Sequence, residues 1–137
     1  MRLGSIKTDL EKQEKGVWVN LPEGLKLLIA RAGNAKCKEM TNRLHKPLRK
    51  QIAKDMVSDD VLSDIAKKVV ARYILLDWKN LLDEKGKEIK YSEEKAYEII
   101  SDPENDLFYT WVLEAASEEQ NFRKQSMEDE LGNLPAA

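Results

Sequence analysis

The chain of 137 residues holds one cysteine, Cys37, and one histidine, His45. A single thiol excludes an intrachain disulfide framework. One Cys and one His do not supply a zinc ligand set, and a Cys/His nucleophile pair needs an orienting third group that the sequence does not mark. No glycine-rich phosphate loop is written in it. The segment Asp83-Glu84-Lys85-Gly86-Lys87-Glu88 resembles a calcium loop only superficially, because Lys85 and Lys87 stand where acids or amides would have to alternate. No apolar run approaches the roughly 18 residues of a membrane span. Arg72 and Asp77 interrupt the best candidate. The opening Met1-Arg2-Leu3-Gly4-Ser5 lacks the apolar core of a signal peptide. These absences predict an intracellular, soluble protein with no catalytic constellation, no metal site and no cofactor.

What the chain has in excess is charge. Asp, Glu, Lys and Arg make up 35% of it, against roughly 25% in an average domain. That excess favours a helical, well-solvated protein over a compact β-fold. The charge is divided along the chain. Residues 1–54 carry 13 Lys/Arg and 5 Asp/Glu, a balance of +8, while residues 55–137 carry 10 and 20, a balance of −10. A basic first half and an acidic second half suggest head-to-tail self-association or a charged partner. Unequal solvated faces account for the same counts.

The fold class expected is mainly α, a compact helical domain with an N-terminal β-hairpin. The domain covers residues 1–125, the hairpin lies near 16–31, and residues 126–137 form a flexible tail. The first 15 residues are polar and start frayed, with one or two helical turns from Thr8 to Lys15. Gly16-Val17-Trp18-Val19-Asn20 and Leu25-Lys26-Leu27-Leu28-Ile29-Ala30 flank Leu21-Pro22-Glu23-Gly24, a hairpin pattern. Trp18 is its expected anchor. A lone hairpin is marginal in water, so it must pack on helices or pair with a strand of another subunit. Asn34 caps a helix through about Arg43, and Pro47 kinks or restarts it. Ala35, Met40, Leu44, Leu48 and Ile52 mark one narrow buried stripe there. Ser58-Asp59-Asp60 starts a helix that the apolar pattern carries to about Leu82. From Val69 to Leu76 only Arg72 is polar, too wide an apolar surface for a helix packed on one side. Gly86 suits a left-handed turn, and Ile89 with Tyr91 suits a short extended segment. Ser92 caps a helix from Glu93 to about Ser101. Pro103 opens a last one, striped by Phe108, Trp111, Val112, Ala115 and Phe122.

Two surfaces stand out as candidates for binding. The first is basic, with Lys36, Lys38, Arg43, Lys46, Arg49, Lys50 and Lys54 against Glu39 alone in that stretch. It could meet phosphate backbones. However, no aromatic is interleaved to stack on bases, no helix-turn-helix glycine turn follows, and the acidic half would repel DNA. An acidic protein surface, such as a neighbouring subunit's second half, fits better. Lys36, Arg43, Lys46, Arg49 and Lys50 are then the self-association face. The second surface is apolar and aromatic. Residues 69–122 hold eight of the nine aromatics. Tyr73, Leu76, Trp78 and Trp111 are candidate partner-binding residues, although tryptophans are more often core than hot spots.

The same block carries a resemblance. It comprises Ala71-Arg72-Tyr73-Ile74-Leu75-Leu76-Asp77-Trp78-Lys79, then Leu82-Asp83-Glu84-Lys85-Gly86-Lys87-Glu88-Ile89, then Tyr91-Ser92-Glu93-Glu94-Lys95-Ala96 and Asp102 to Phe122. It resembles tail assembly chaperones of long-tailed, siphovirus-type bacteriophages. In these a helix ends in a Trp-Lys or Trp-Lys-Gly turn, a short Gly-containing connector follows, and a capped helix opens with Ser or Thr and Glu. Trp18 in a hairpin followed by Arg31 and Asn34 is similar to what precedes that block in the family. The likeness spans about two thirds of the chain. It departs at Asn80, where the family often has Gly. The resemblance implies a non-enzymatic oligomer in the host cytoplasm. Such a protein holds the tape-measure protein until tail-tube subunits polymerise, and it is absent from the finished virion. It also implies a programmed frameshift giving a longer form, with an extension beginning near Leu131-Gly132-Asn133. Two other classes fit the same helices: a tail completion or connector component of the virion, and a small nucleic-acid-binding regulator.

Overall fold

The computed structural model describes residues 1–124. The expected tail at 126–137 lies outside the described residues. The architecture is mainly α, with a small three-stranded antiparallel sheet. Asp9 caps α1 (Leu10–Lys15) by accepting from the amides of Glu11 and Lys12. Next come β1 (Val17–Asn20) and β2 (Lys26–Ile29), the hairpin anticipated from the Pro/Gly turn. Then α2 (Ala35–His45) is capped by Asn34, whose side chain accepts from the Cys37 amide. A short 3-10 turn at Lys46–Leu48, opened by Pro47, leads to α3 (Arg49–Ala53).

The main departure from expectation lies in the next segment. Ser58 caps α4 as anticipated, but α4 runs only from Asp59 to Tyr73. After Ile74 the chain enters β3 (Leu75–Lys79) rather than continuing as helix to Leu82. β3 pairs antiparallel with β2, with Leu27 opposite Trp78 and Ile29 opposite Leu75, so β2 is the central strand. The excess apolar surface of Val69–Leu76 is therefore split between two geometries. The helix buries Val69, Val70 and Ala71, and the strand buries Leu75 and Trp78. The hairpin thereby finds its third strand within the same chain, which meets the need of a marginal two-stranded ribbon.

The sheet has one inner and one outer face, as strand alternation requires. Val17, Val19, Leu27, Ile29, Leu75 and Trp78 belong to the core or pack against it. Trp18 belongs to the opposite set and is 41% exposed. This overturns its role as the hairpin's anchor, which Val17 and Val19 take instead. Trp18 meets the Lys79 ammonium, 4.4 Å from the ring centroid. On α2 the stripe is shifted too, with Cys37 and Met40 buried and Ala35 exposed.

The hairpin tip and the end of β3 are joined by Asn80. It occupies the left-handed region at φ 64°, and its side-chain amide donates to the Gly24 carbonyl at 2.9 Å. Asn is among the residues that tolerate this conformation, so the turn that a Gly would make is kept. Asp83 then accepts from the amides of Lys85 and Lys87, and Gly86 takes φ 79°. Ser92 caps α5 (Glu93–Ser101), and Pro103 leads through a 3-10 turn into α6 (Asp106–Ser117). Phe122, 1% exposed, closes the core. Beside it the Asp9 amide donates to the Phe122 carbonyl and the Lys124 amide to the Lys7 carbonyl. The helical turns expected from Thr8 to Lys15 are present as α1, and this pairing ties their start to Phe122 and Lys124.

Gly16 sits at φ +85°, and a Cβ there would lie 3.0 Å from the carbonyl carbon and oxygen of Ile29. Gly24 has a similar φ of +78° with nothing within 4 Å. The left-handed backbone alone costs an L-residue about 1–2 kcal/mol. Urea unfolding is therefore expected to show Gly24→Ala losing about that much, and Gly16→Ala clearly more, because backbone must move. Equal losses would contradict the close approach of β1 to β2 at this point.

Candidate protein-interaction site

None of the four residues expected to form one apolar partner surface is exposed. Trp78 is 5% exposed. Its indole N–H donates to the Ile89 carbonyl at 2.7 Å, and its ring meets Tyr91 edge-on with centroids 4.9 Å apart. It is a core residue, so no partner reaches it without opening this contact. Tyr73 is half-buried at the end of α4, under the Arg72 guanidinium at 5.4 Å. Leu76 is half-buried in β3 near Gly16. Trp111 lines a shallow recess with Pro22, Leu25, Asn80, Leu81 and Leu82, at the hairpin tip.

The basic residues fare differently. Lys36, Arg43, Lys46, Arg49 and Lys50 are all exposed. Among the described residues none of the five is held in an ion pair. The α2–α3 segment thus presents a solvated positive surface.

Between α2 and α4 lies an open groove of about 570 Å³. Its lining is mostly apolar, from Cys37, Leu62, Ile65, Val69, Val70 and Ile74, with Ala66 exposed at its side. Lys38, Thr41, Asn42 and His45 border it from α2. The two helices pack against each other, and Cys37, Ile65, Val69, Val70 and Ile74 form the buried floor between them. The sequence did not mark this groove, because the apolar excess it showed at Val69–Leu76 is taken up by burial in α4 and β3. What it could not show was that the small or polar side chains of Thr41, Asn42 and Ala66 leave the space between the helices unfilled.

Cys37 sits in this groove, 4% exposed. Burial pushes its thiol up from the ordinary range, against the lowering effect of hydrogen bonds at Gly33 and Asn34. On the other side of α4 the Tyr97 hydroxyl donates to the Asp64 carboxylate, which also pairs with Lys68 at 3.1 Å. The Tyr97 bond, followed by Lys68, holds the Asp64 carboxyl below its usual range and pins α5 to α4. Among the described residues no group of three or more His, Cys, Asp or Glu is gathered for a metal, and no helix is long and apolar enough to cross a membrane.

The model of a family described as YdaY prophage protein matches residues 32–133, well over half of the chain. The chain belongs to that prophage family. Within the described residues the matched span takes in α2 to α6 and β3, and hence both walls of the groove, the basic segment and the Trp78–Tyr91 contact. The hairpin that completes the sheet precedes it. No curated protein and no solved structure matches the chain. YdaY membership establishes phage origin and leaves the task of the protein to be argued from its surfaces.

Tyr91 supports the core contact from outside the sheet. Its hydroxyl donates to the Leu75 carbonyl at 2.8 Å. Its phenol is pushed up to about 12 by burial first, then by the charges of Glu93 and Asp77. The folded value lies above the ordinary 10.0. Its contribution to stability is therefore complete below pH 10 and lost as pH rises toward 12. Tyr91→Phe is expected to cost about 1 kcal/mol at pH 7, the net worth of one hydrogen bond. It should also flatten the decline in stability above pH 10. Denaturant titrations at pH 7, 10 and 11 check both; a variant as stable as the parent at pH 7 would contradict the assignment.

Proposed function

We propose that this prophage-family protein is a tail assembly chaperone of a long-tailed phage, a holder rather than a catalyst. In this reading it binds the tape-measure protein in the host cytoplasm and keeps it soluble. It helps recruit tail-tube subunits and is left out of the finished virion. The single observation that carries the reading is the solvent-open apolar groove between α2 and α4 beside an unpaired basic surface. An apolar floor between two helices suits a helical client, which docks its apolar face in such a groove. A tape-measure protein is a long helical client of that kind. The phage origin supports the same reading, as does the Trp78-Lys79-Asn80 turn leading through Gly86 to the Ser92 cap. Self-association through Lys36, Arg43, Lys46, Arg49 and Lys50 onto a neighbour's acidic half is part of the proposal. These side chains are exposed and free of ion pairs among the described residues.

Co-expression with the tape-measure protein encoded in the same prophage, followed by affinity capture and light scattering, tests the proposal. The expected outcome is a soluble complex containing a partner that is insoluble alone. Absence of a complex, together with detection of the protein in purified particles, would overturn the reading in favour of a structural tail component.

A further inference from the structure

The groove's surroundings specify the charge of what enters it. Its length follows from α2, whose 11 residues span about 16 Å at 1.5 Å per residue. That accommodates about three turns of a docked helix. Its floor is apolar, so the occupant needs apolar residues at helical spacing, i, i+4 and i+7. Its α2 border carries Lys38 and His45. The segment 35–54 to which that border belongs holds seven Lys/Arg and one acid, Glu39. The acids of the two helices are Glu39 on α2 and Asp59, Asp60 and Asp64 on α4, and none of the four lines the groove.

We infer that the α2–α4 groove binds an amphipathic helix of a partner protein whose polar flanks are acidic. This deepens the holder reading and rests on it for the existence of a helical client; it adds the place of binding and the chemistry of the segment bound. An apolar floor rejects a phosphate backbone. A basic flank on the partner would face Lys38, where like charges oppose docking. An acidic flank gains attraction that speeds encounter and weakens with salt. Cys37, the only thiol of the chain, lies in the groove and reports on its occupancy.

The probes are two 16-residue designed helical peptides with identical leucine stripes, one flanked by Glu and one by Lys. Binding to the full chain is read by fluorescence anisotropy at low and high salt, and by the rate of Cys37 modification. The Glu peptide is expected to bind at least tenfold tighter than the Lys peptide at low salt and to slow Cys37 modification. Its advantage should shrink as salt is raised. Ala66→Trp, at an exposed position that fills the groove, should weaken it at least tenfold. Lys38→Glu, on the exposed border, should invert the peptide preference or abolish it without touching the floor. Equal binding of both peptides, or binding untouched by Ala66→Trp and Lys38→Glu, overturns the inference. So does a parent oligomer that falls apart in Ala66→Trp, since the groove would then hold a second copy of the chain. The same Ala66→Trp protein co-expressed with the tape-measure protein separates the two claims. A complex that survives it contradicts the groove and leaves the holder reading standing. Peptide binding without any tape-measure complex contradicts the holder reading alone.

Discussion

The pairing of β2 with β3 ties together parts of the chain that otherwise have no stable arrangement. A four-residue hairpin cannot hold itself in water, and a helix apolar all round cannot remain solvated. Ending α4 at Tyr73 and turning Leu75–Lys79 into a strand resolves both problems. The strand closes one edge of the hairpin and places Trp78 against Leu27 on the inner face. Burial of side chains such as Leu27, Ile29, Leu75 and Trp78 is worth about 1.5–3 kcal/mol each. The Trp78–Tyr91 contact and the hydrogen bonds to Ile89 and Leu75 then fix the long connection that leads to α5.

The sheet also determines which apolar surface stays open. The inner face is taken up by α4 and α6, and α5 is locked onto α4 through Tyr97 and Asp64. The remaining side of α4 faces α2, and there small and polar side chains leave the groove unfilled. The open apolar recess thus lies between two helices rather than at the aromatic residues. Of the tryptophans that look like binding anchors in the sequence, Trp78 is core and Trp111 is half-buried beside the hairpin tip.

Much of the fold was legible from local chemistry. Asn34, Ser58 and Ser92 marked helix starts because their side chains satisfy otherwise unpaired amides. The Pro/Gly turn marked the hairpin, and Pro103 marked the start of the last helical segment. The end of α4 was not legible, because Ile74-Leu75-Leu76 continues the apolar pattern and no glycine or proline intervenes before Gly86. Only the vacant edge of β2, a tertiary fact, selects strand there. The phage origin was legible in the Trp78–Ser92 block and agrees with the YdaY family. The basic residues were correctly read as an exposed set, whereas the groove depends on the unfilled space between α2 and α4, which no periodicity encodes.

β3 completes the sheet within its own chain. The direct measurement is an isotope-filtered NOE experiment on an equimolar mixture of labelled and unlabelled protein. Strong Leu27–Trp78 and Ile29–Leu75 contacts are expected in a uniformly labelled sample, and none between labelled and unlabelled chains. Intermolecular NOEs between β2 and β3 would contradict this, showing the hairpin completed by a strand from another subunit.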